Sequence, residues 1–272
     1  MKNWTLDDIA WDQVDRSKVD PDILQAVKAA AMVEANGLDY GRYLGNVFSD
    51  DKPFLAQAEI WANEEVRHGE ALGRWAELVD PTFDYALSLA RFRDGYQLQL
   101  EATQSIRGSR SGELMARCIV ETGTSSYYSA LRDATDEPVL KQICALIAAD
   151  ELRHYKLFYS NMQRYLAHEK LGRLGRVRIG LKRIRESEDD ELAYAFYAAN
   201  ASPGTPYDRR SNTRAYARRA YRLYRAPHVQ RGVAMVLKAM GLRPQGRLND
   251  WLSRLALRYL RHQHDRLARA GV

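Results

Sequence analysis

The sequence predicts an all-α fold in which four long helices form a bundle and further helices follow toward the C-terminus. Apolar residues recur at helical spacing over long segments, and proline-marked turns separate these segments. Runs of β-branched residues and strictly alternating stretches, which are typical of strands, are few. With 272 residues, of which 46% are hydrophobic and 28% charged, the chain is long enough to bury one sizeable core.

The first two bundle helices are predicted on either side of one turn. Residues 1–20 form an irregular lead-in. Asp20 and Pro21 then supply an N-cap and a first-turn proline, which favour a helix that runs to about Phe48. The turn-like segment FSDDKP separates this helix from a second one, which is predicted over Pro53–Leu78.

The third and fourth bundle helices lie beyond a connecting segment. Residues 82–106 have a helical pattern and must include the crossover that returns the chain along the bundle. Arg107–Gly112, with the sequence RGSRSG, indicates a break. The third helix is predicted over Glu113–Ala134 and the fourth from Glu137 to about Glu169, with the turn-like segment DATDEP at their junction.

Two of the predicted helices carry the same motif, an acidic residue followed by Glu-x-Arg-His. The motif places Glu65 and His68 in the second helix, and Glu151 and His154 in the fourth. Residues three apart lie on one helix face with Cβ atoms about 5–6 Å apart, so each pair can share one metal ion. Glu-x-x-His from two helices, together with one Glu from each of two others, is the ligand set of di-metal carboxylate bundles.

Helix geometry identifies the two further glutamates. In an antiparallel helix pair, two residues that are equally far from the turn lie at one height. Glu34 and Glu65 are equally far from FSDDKP, and Glu121 and Glu151 are equally far from DATDEP. Each of the four lies about 15 residues from its turn, which is about 22 Å at a rise of about 1.5 Å per residue. The two hairpins therefore bring four carboxylates and two imidazoles to one level.

A buried cluster of this kind predicts two metal ions. The ligand positions share helical stripes with apolar residues, so the carboxylates are expected in the core, where unpaired charge is strongly unfavourable. Two divalent ions offset four negative charges, and iron is the expected metal, with manganese as the alternative. The predicted ligands are Glu34, Glu65, His68, Glu121, Glu151 and His154.

Charge divides the chain into two predicted parts. Residues 1–160, the bundle with its lead-in, hold 17 Lys and Arg against 26 Asp and Glu, whereas residues 161–272 hold 24 against 9. The second part is predicted to be a basic, arginine-rich helical extension. Its arginines either are solvated on packing helices or bind an acidic protein, an anionic membrane surface or nucleic acid. Of these partners, nucleic acid is the least expected.

The sequence also indicates where in the cell the protein is expected. No apolar run approaches the roughly 18–20 residues of a membrane span, and the N-terminal stretch lacks the apolar core of a secretory signal. Cys118 and Cys144 are the only cysteines and lie in helical stripes, which predicts buried thiols and excludes a disulfide framework. We therefore expect a cytoplasmic protein.

The motifs resemble those of the soluble acyl-carrier-protein desaturases, within the ferritin-like di-iron superfamily. EEVRHG at Glu64–Gly69 is similar to that family's EENRHG, and ICALIAADELRH at Ile143–His154 is similar to its second metal helix. ETGT at Glu121–Thr124 is similar to the family's Glu-x-x-Thr. The resemblance covers about residues 21–160 and implies a ferritin-like four-helix bundle.

The resemblance also implies roles for residues beside the ligands. Thr124 corresponds to a threonine on the oxygen-binding side of the metals, which makes it a candidate for proton delivery; the alternative is a threonine that only packs between helices. Asp150 corresponds to an acid that orients a metal-binding histidine and, with a tryptophan, lies on the route of electron entry. Trp4 and Trp11 are both candidates for that tryptophan.

Together the motifs and the resemblance predict an O2-dependent di-iron oxidoreductase that acts on C–H bonds. The resemblance implies a fatty acyl chain on acyl carrier protein as substrate, a ferredoxin-like electron donor and a homodimer. Two alternatives stay open: iron oxidation or peroxide scavenging, as in ferritins and rubrerythrins, and a di-iron hydroxylase or N-oxygenase on another substrate. A long apolar cavity that reaches the metals would favour the acyl substrate, and its absence would favour iron handling.

Overall fold

The computed structural model describes residues 4–97, 100–186, 190–202 and 204–270. All regular secondary structure within these residues is helical, which confirms the all-α prediction. Three short 3-10 turns occupy the lead-in and precede the α-helices. The helices are α1 Pro21–Glu34, α2 Gly37–Val47, α3 Lys52–Val79, α4 Tyr85–Gly95, α5 Arg110–Ala134, α6 Pro138–Leu166, α7 Arg173–Arg185, α8 Asp190–Asn200, α9 Arg209–Tyr221, α10 Ala226–Ala239 and α11 Arg247–Arg269.

Acidic side chains cap the helices that carry the predicted ligand motifs. The carboxylates of Asp20, Asp51 and Glu137 accept backbone N–H groups in the first turns of α1, α3 and α6. A proline occupies the first turn of each of these helices. The caps satisfy N–H groups that have no partner within the helix, and proline fits there because it has no N–H to satisfy. The helices therefore begin within one or two residues of their predicted starts.

The predicted first helix is interrupted. A turn at Ala35–Asn36 separates α1 from α2, where the pattern predicts one continuous helix. Asn and Gly are poor helix formers, and the Asn36 side chain donates to the carboxylate of Glu191 at 3.4 Å. The chain also passes very close to α3 here, because a Cβ at Gly37 would lie 2.4 Å from the Cβ of Glu65. Glycine at this position permits that approach.

The connecting segment, residues 82–106, is helical only in part. Its helix, α4, ends at Gly95, where a Cβ would lie 1.9 Å from the hydroxyl oxygen of Tyr194. The described residues between α4 and α5 form turns and extended chain rather than the predicted helix. α5 begins at Arg110, inside the predicted break, because the Ser109 side chain caps its first turn.

The four helical segments that carry the predicted ligands pack together. α5 packs along α6, and α3 contacts α1, α2 and α6. Along these helices one apolar cluster, which includes Trp75 and Leu131, lies on one side of the ligand positions. A second cluster, which includes Phe54 and Phe158, lies on the other side. The ligands therefore occupy a level between two apolar layers, and the ferritin-like arrangement of the helices stays a prediction.

The C-terminal helices pack against the ligand-carrying helices. α7 and α10 contact α5, α8 and α9 contact α1, and α11 contacts α9 and α10. α6 continues past residue 160, where the sequence places the domain boundary, and ends at Leu166. Within the part of the chain that the structure describes, no helix combines the length and the apolar character that crossing a bilayer requires. The thiols of Cys118 and Cys144 are unpaired and buried, as expected.

Candidate metal centre

Six buried side chains from α1, α3, α5 and α6 form two overlapping groups of metal-ligand type. In each group every residue contributes one carboxylate oxygen or imidazole nitrogen, and these atoms lie within 4.8 Å of one another. One group is Glu34, Glu65, His68 and Glu151, and the other is Glu65, Glu121, Glu151 and His154. The structure thus brings all six predicted ligands together, and Glu65 and Glu151, which belong to both groups, would serve both ions if two were bound.

The inner atoms of this cluster fit metal ions. Oε1 of Glu65 and of Glu151 and Nδ1 of His68 and of His154 are buried without a hydrogen-bond partner among the described residues. His154 Nδ1 nevertheless lies 2.9 Å from Glu65 Oε1, and His68 Nδ1 lies 3.3 Å from Glu151 Oε1. A buried polar atom without a partner is unfavourable by about 1–3 kcal/mol. Divalent iron or manganese among these oxygen and nitrogen donors would satisfy all four atoms.

Burial and mutual repulsion raise the proton affinity of two ligand carboxylates. Burial, with the negative charge of Glu151 nearby, raises the pKa of Glu121 to about 8. Burial and the charges of Glu151 and Glu34 raise the pKa of Glu65 well above its ordinary value. Four bare carboxylates are therefore unfavourable at this level of the structure, and the cluster needs either protons or cations.

Each ligand histidine is oriented by an acid from the other helix of the motif pair. His68 Nε2 lies 3.2 Å from Asp150 Oδ2, and His154 Nε2 lies 2.8 Å from Glu64 Oε2. Such a contact favours a proton on Nε2 and leaves Nδ1 to face the ligand cluster. The sequence analysis singled out Asp150 and missed Glu64. The sequence does indicate Glu64, because an acid precedes the ligand glutamate in both copies of the motif.

The arginines of the repeated motif offset the charge of these two acids. Arg153 Nη2 lies 3.3 Å from Glu64 Oε1 and 2.5 Å from Asp150 Oδ1. Arg67 Nη2 lies 3.4 Å from Asp150 Oδ2 and 3.6 Å from Glu64 Oε1. Burial opposes ionisation of Asp150, but the hydrogen bonds and charges of His68 and Arg153 lower its pKa to about 2. The acid therefore stays anionic and holds its histidine.

Trp4 is the tryptophan beside the cluster. Its Nε1 donates to Asp150 Oδ2 at 2.9 Å, and its ring stacks on His68 with centroids 5.9 Å apart. The Arg67 guanidinium lies 4.7 Å from the centroid of the Trp4 ring. Trp11 instead donates to a backbone carbonyl within the lead-in. Of the two candidates, only Trp4 contacts the acid that orients a ligand histidine.

Hydroxyl groups from α5 contact two of the ligand carboxylates. Thr124 Oγ1 donates to Glu151 Oε2, and the Tyr128 hydroxyl donates to Glu34 Oε1 at 2.5 Å. Thr124 therefore lies directly against the cluster, and its role in proton delivery stays a prediction. Tyr128 was not predicted, although it lies on the same face of α5 as Glu121, seven residues along the helix.

A cavity of about 320 Å³ lies against the cluster. All four ligand glutamates and Thr124 line it, and apolar side chains from α1, α5 and α8 line it as well. Residues of α9 complete part of the wall: Thr213, Tyr216, Ala217, Ala220 and Tyr221. The basic C-terminal third is therefore part of the site and not a detached appendage.

The cavity lining also contains polar groups. The Tyr40 hydroxyl donates to Glu191 Oε2 at 2.7 Å, and the Arg117 guanidinium lies 4.4 Å from the centroid of the Tyr40 ring. Burial raises the pKa of Glu191, although hydrogen bonds from Tyr40 and Asn36 and the charges of nearby arginines oppose the shift. The sequence analysis named a long apolar cavity as the feature that would favour an acyl substrate over iron handling. The structure has a cavity against the ligands in which apolar side chains and these polar groups both line the wall.

Arginines of α9 pair with acids at the start of α1. Arg218 Nη2 lies 2.8 Å from Asp22 Oδ1, and Arg219 Nε lies 3.1 Å from the same oxygen. Arg222 Nη2 lies 2.5 Å from Asp20 Oδ1. These pairs hold α9, a wall of the cavity, against α1. For this helix much of the basic charge is structural.

Comparisons with known proteins add no family name. No protein-family model matches the sequence, and no curated protein matches it. The relation to the acyl-carrier-protein desaturases therefore stays a resemblance carried by the motifs. The chemistry of the site rests on its own geometry.

Proposed function

We propose that this protein is a di-iron, O2-dependent oxidoreductase that acts on C–H bonds of an organic substrate held in the cavity. The observation that carries the proposal is a pair of ligand groups that share Glu65 and Glu151, with a cavity directly against them. Iron bound there supplies O2 chemistry, which amino-acid side chains alone do not perform. A purely structural metal site is closed by its protein ligands and does not need such a cavity.

The residues around the ligands have distinct tasks in this proposal. Glu64 and Asp150 fix the orientation of the histidines, so that the cluster is preorganised. Thr124 keeps a proton on Oγ1 beside Glu151, at the boundary between cluster and cavity. Tyr128 fixes the carboxylate of Glu34 by donating to it. Apolar side chains in the lining exclude water from the substrate.

We favour a fatty acyl chain as the substrate, which the motif resemblance implies. At about 30 Å³ for each water-sized group, the cavity holds about ten such groups. It therefore suits a medium acyl chain or the reacting part of a longer one. Desaturation removes two hydrogens, and with O2 and two electrons and two protons from a donor it yields an alkene and two waters. An acyl carrier protein and a ferredoxin-like donor are the partners that this reaction implies.

Hydroxylation or N-oxygenation of another substrate is the alternative within the same chemistry. Tyr40, Arg117 and Glu191 in the cavity lining favour it, because a wholly apolar chain has no use for buried polar groups. Iron oxidation without an organic substrate is less well supported, since that activity needs no cavity of this volume beside the ligands.

Metal content tests the ligand assignment. After anaerobic reconstitution with Fe(II), we expect about two iron ions per chain, the number that such ligand sets hold. Glu65→Ala should lose most of the iron. Glu70→Ala is the matched control, because Glu70 is an exposed glutamate on the same helix. Only trace iron in repeatedly reconstituted wild-type protein would refute the assignment.

Oxygen uptake tests the reaction. With a chemical reductant and saturated acyl chains of graded length, on carrier protein and as free acids, we expect O2 uptake coupled to a product that has lost two hydrogens or gained one oxygen. Ala217→Phe, which fills the cavity from α9, should lower this turnover and leave the iron content unchanged. Oxidation of many Fe(II) ions per chain that the filled cavity does not affect would support iron handling instead.

A further inference from the structure

The outer face of α11 carries a row of exposed apolar side chains. Leu248, Trp251, Leu255 and Tyr259 are spaced three, four and four residues apart, which places them within about 80° of arc on one helix face. Their exposed fractions are 45, 54, 42 and 49%. An adjoining side of α11 packs on α9 and α10, and Tyr259 lies at the edge of the row next to α9. A contiguous exposed row of large apolar side chains indicates an interaction surface.

Arginines flank this row. α11 contains six arginines and two aspartates, and four of the arginines project to one side of the apolar row: Arg247, Arg254, Arg258 and Arg261. All four are exposed. The ion pairs that the described residues of the C-terminal third form involve α6 to α10 and the residues that end these helices, and they include none of the six. The positive charge of α11 is therefore available to an external anion.

We propose that α11 binds the surface of a membrane that contains anionic lipids. The helix would lie in the plane of the headgroups, with the row of Leu248, Trp251, Leu255 and Tyr259 against the acyl chains and the arginines on the phosphates. An apolar face with tryptophan beside a basic face is the pattern of helices that bind the bilayer interface. Trp and Tyr side chains favour that depth, and arginine extends its charged end toward the phosphates.

The chemistry of this face disfavours the other classes of partner. Two copies of α11 packed face to face would bring rows of arginine together, and each copy has only Asp250 and Asp265 to pair with six arginines. A nucleic acid would contact the arginines and stack on Trp251, but it would leave Leu248 and Leu255 in water. An acidic protein needs an apolar groove as well as negative charge, whereas an anionic bilayer offers both over the whole length of the helix, about 34 Å.

The position of α11 connects this surface to the cavity. The rings of Tyr259 in α11 and Tyr221 in α9 have centroids 6.5 Å apart, and Tyr221 lines the cavity. A bilayer bound to α11 would therefore lie one helix away from the substrate site. Lipid binding does not depend on the metal chemistry, so failure of either idea leaves the other intact.

Vesicle binding tests the surface. Full-length protein is mixed with vesicles of phosphatidylcholine alone or with roughly 30 mol% phosphatidylglycerol, and bound protein is measured by flotation. We expect binding to the anionic vesicles to be at least about tenfold stronger, and to weaken as salt rises from roughly 0.05 to 0.5 M. Trp251 is the most exposed tryptophan, so its emission should shift to shorter wavelength on binding.

Variants with matched controls assign the binding to α11. Trp251→Ala with Leu255→Ala should weaken binding about tenfold or more, because two anchors are lost. The control, Ile60→Ala with Leu87→Ala, removes two apolar side chains of α3 and α4 that are more exposed than the tested pair, and it should have no effect. Trp251→Phe should keep the binding and lose the fluorescence shift. Circular dichroism and iron content verify that each variant is folded.

Charge-reversal variants provide an independent test of vesicle binding by α11. Arg254→Glu with Arg258→Glu should reduce binding to anionic vesicles by at least about tenfold and flatten its salt dependence. Lys141→Glu with Lys156→Glu, two exposed lysines of α6, is the control and should change binding little. Equal binding to neutral and anionic vesicles, or α11 variants that bind like the wild type, would overturn the proposal. So would a dimer that the α11 variants convert to monomer, or an RNA or acidic carrier protein that binds through this face while vesicles do not.

Discussion

Gly69 offers a sharp test of how the ligand cluster is held, because α3 approaches the backbone of α1 there. A Cβ at Gly69 would lie 2.8 Å from Ala35 N and 2.9 Å from Ala31 O. These backbone atoms cannot yield unless α1 itself shifts. Gly69 follows His68 and Ala35 follows Glu34, so such a shift would displace two ligands. Gly69→Ala should therefore reduce both the stability and the metal content.

A second glycine provides the reference for measuring the free-energy cost of a Cβ at Gly69. A Cβ at Gly45, inside α2, would meet no atom within 4 Å. Alanine in place of glycine stabilises a helix interior by about 1 kcal/mol, and both substitutions gain this. The difference between Gly69→Ala and Gly45→Ala thus isolates the cost of overpacking, about 1–3 kcal/mol. At about 2–4 °C per kcal/mol, Gly69→Ala should melt several degrees below Gly45→Ala.

The measurement is thermal unfolding by circular dichroism with a chelator present, followed by iron content after reconstitution. We expect Gly45→Ala to melt slightly above the wild type and to hold full iron. Gly69→Ala should melt below the wild type and lose iron. If the two variants behave alike in both assays, α1 and α3 do not approach as described, and the position of Glu34 in the cluster is wrong.

Three further outcomes follow from the same geometry. Saturating Fe(II) should raise the melting temperature, since a ligand at about 100 times its dissociation constant stabilises the native state by about 2.7 kcal/mol; an unchanged melting curve would mean that no closed site forms. Glu64→Gln and Asp150→Asn should each weaken metal binding about 10–100-fold, as loss of such partners of ligand histidines does elsewhere, and competition with a chelator measures this. Arg218→Glu should lower the melting temperature by a few degrees through loss of its pair with Asp22, whereas Arg214→Glu, on the same helix, should not; equal effects would show that the pair is not structural.

The ligand positions were predictable because regular helices turn sequence distance into spatial distance. Glu34 and Glu121 belong to no local motif, and only their distance from a turn identified them. That inference needed two properties that the sequence displays, the proline-marked turns and the helical pattern around them. The turn after α1 does not invalidate this inference for Glu34. Glu34 is the last residue of α1, so the turn at Ala35–Asn36 displaces only the chain beyond it.

The residues around the ligands were less predictable because they depend on contacts between distant segments. Trp4 reaches Asp150 across 146 positions, and nothing local distinguishes it from Trp11. Glu191 meets Asn36 and Tyr40 only when α8 packs beside α1. The break after α1 is a similar case, since weak helix propensity permits a turn there but the contact with α8 explains why the turn forms.

The arginine-rich third shows why composition could not decide its role. α9 and α11 are similarly basic in sequence, and periodicity gives both a polar face. The two helices differ in the acidic residues that pair with their arginines. Asp20 and Asp22, about two hundred positions earlier in the chain, reach α9 and convert its arginines into attachments of the cavity wall. Among the residues that the structure describes, no acid from another helix forms an ion pair with an arginine of α11, whose charge lies at the surface beside an exposed apolar row. Reversing charge on α9 should therefore act on stability, and reversing it on α11 should act on binding to a partner, although the two substitutions look alike in the sequence.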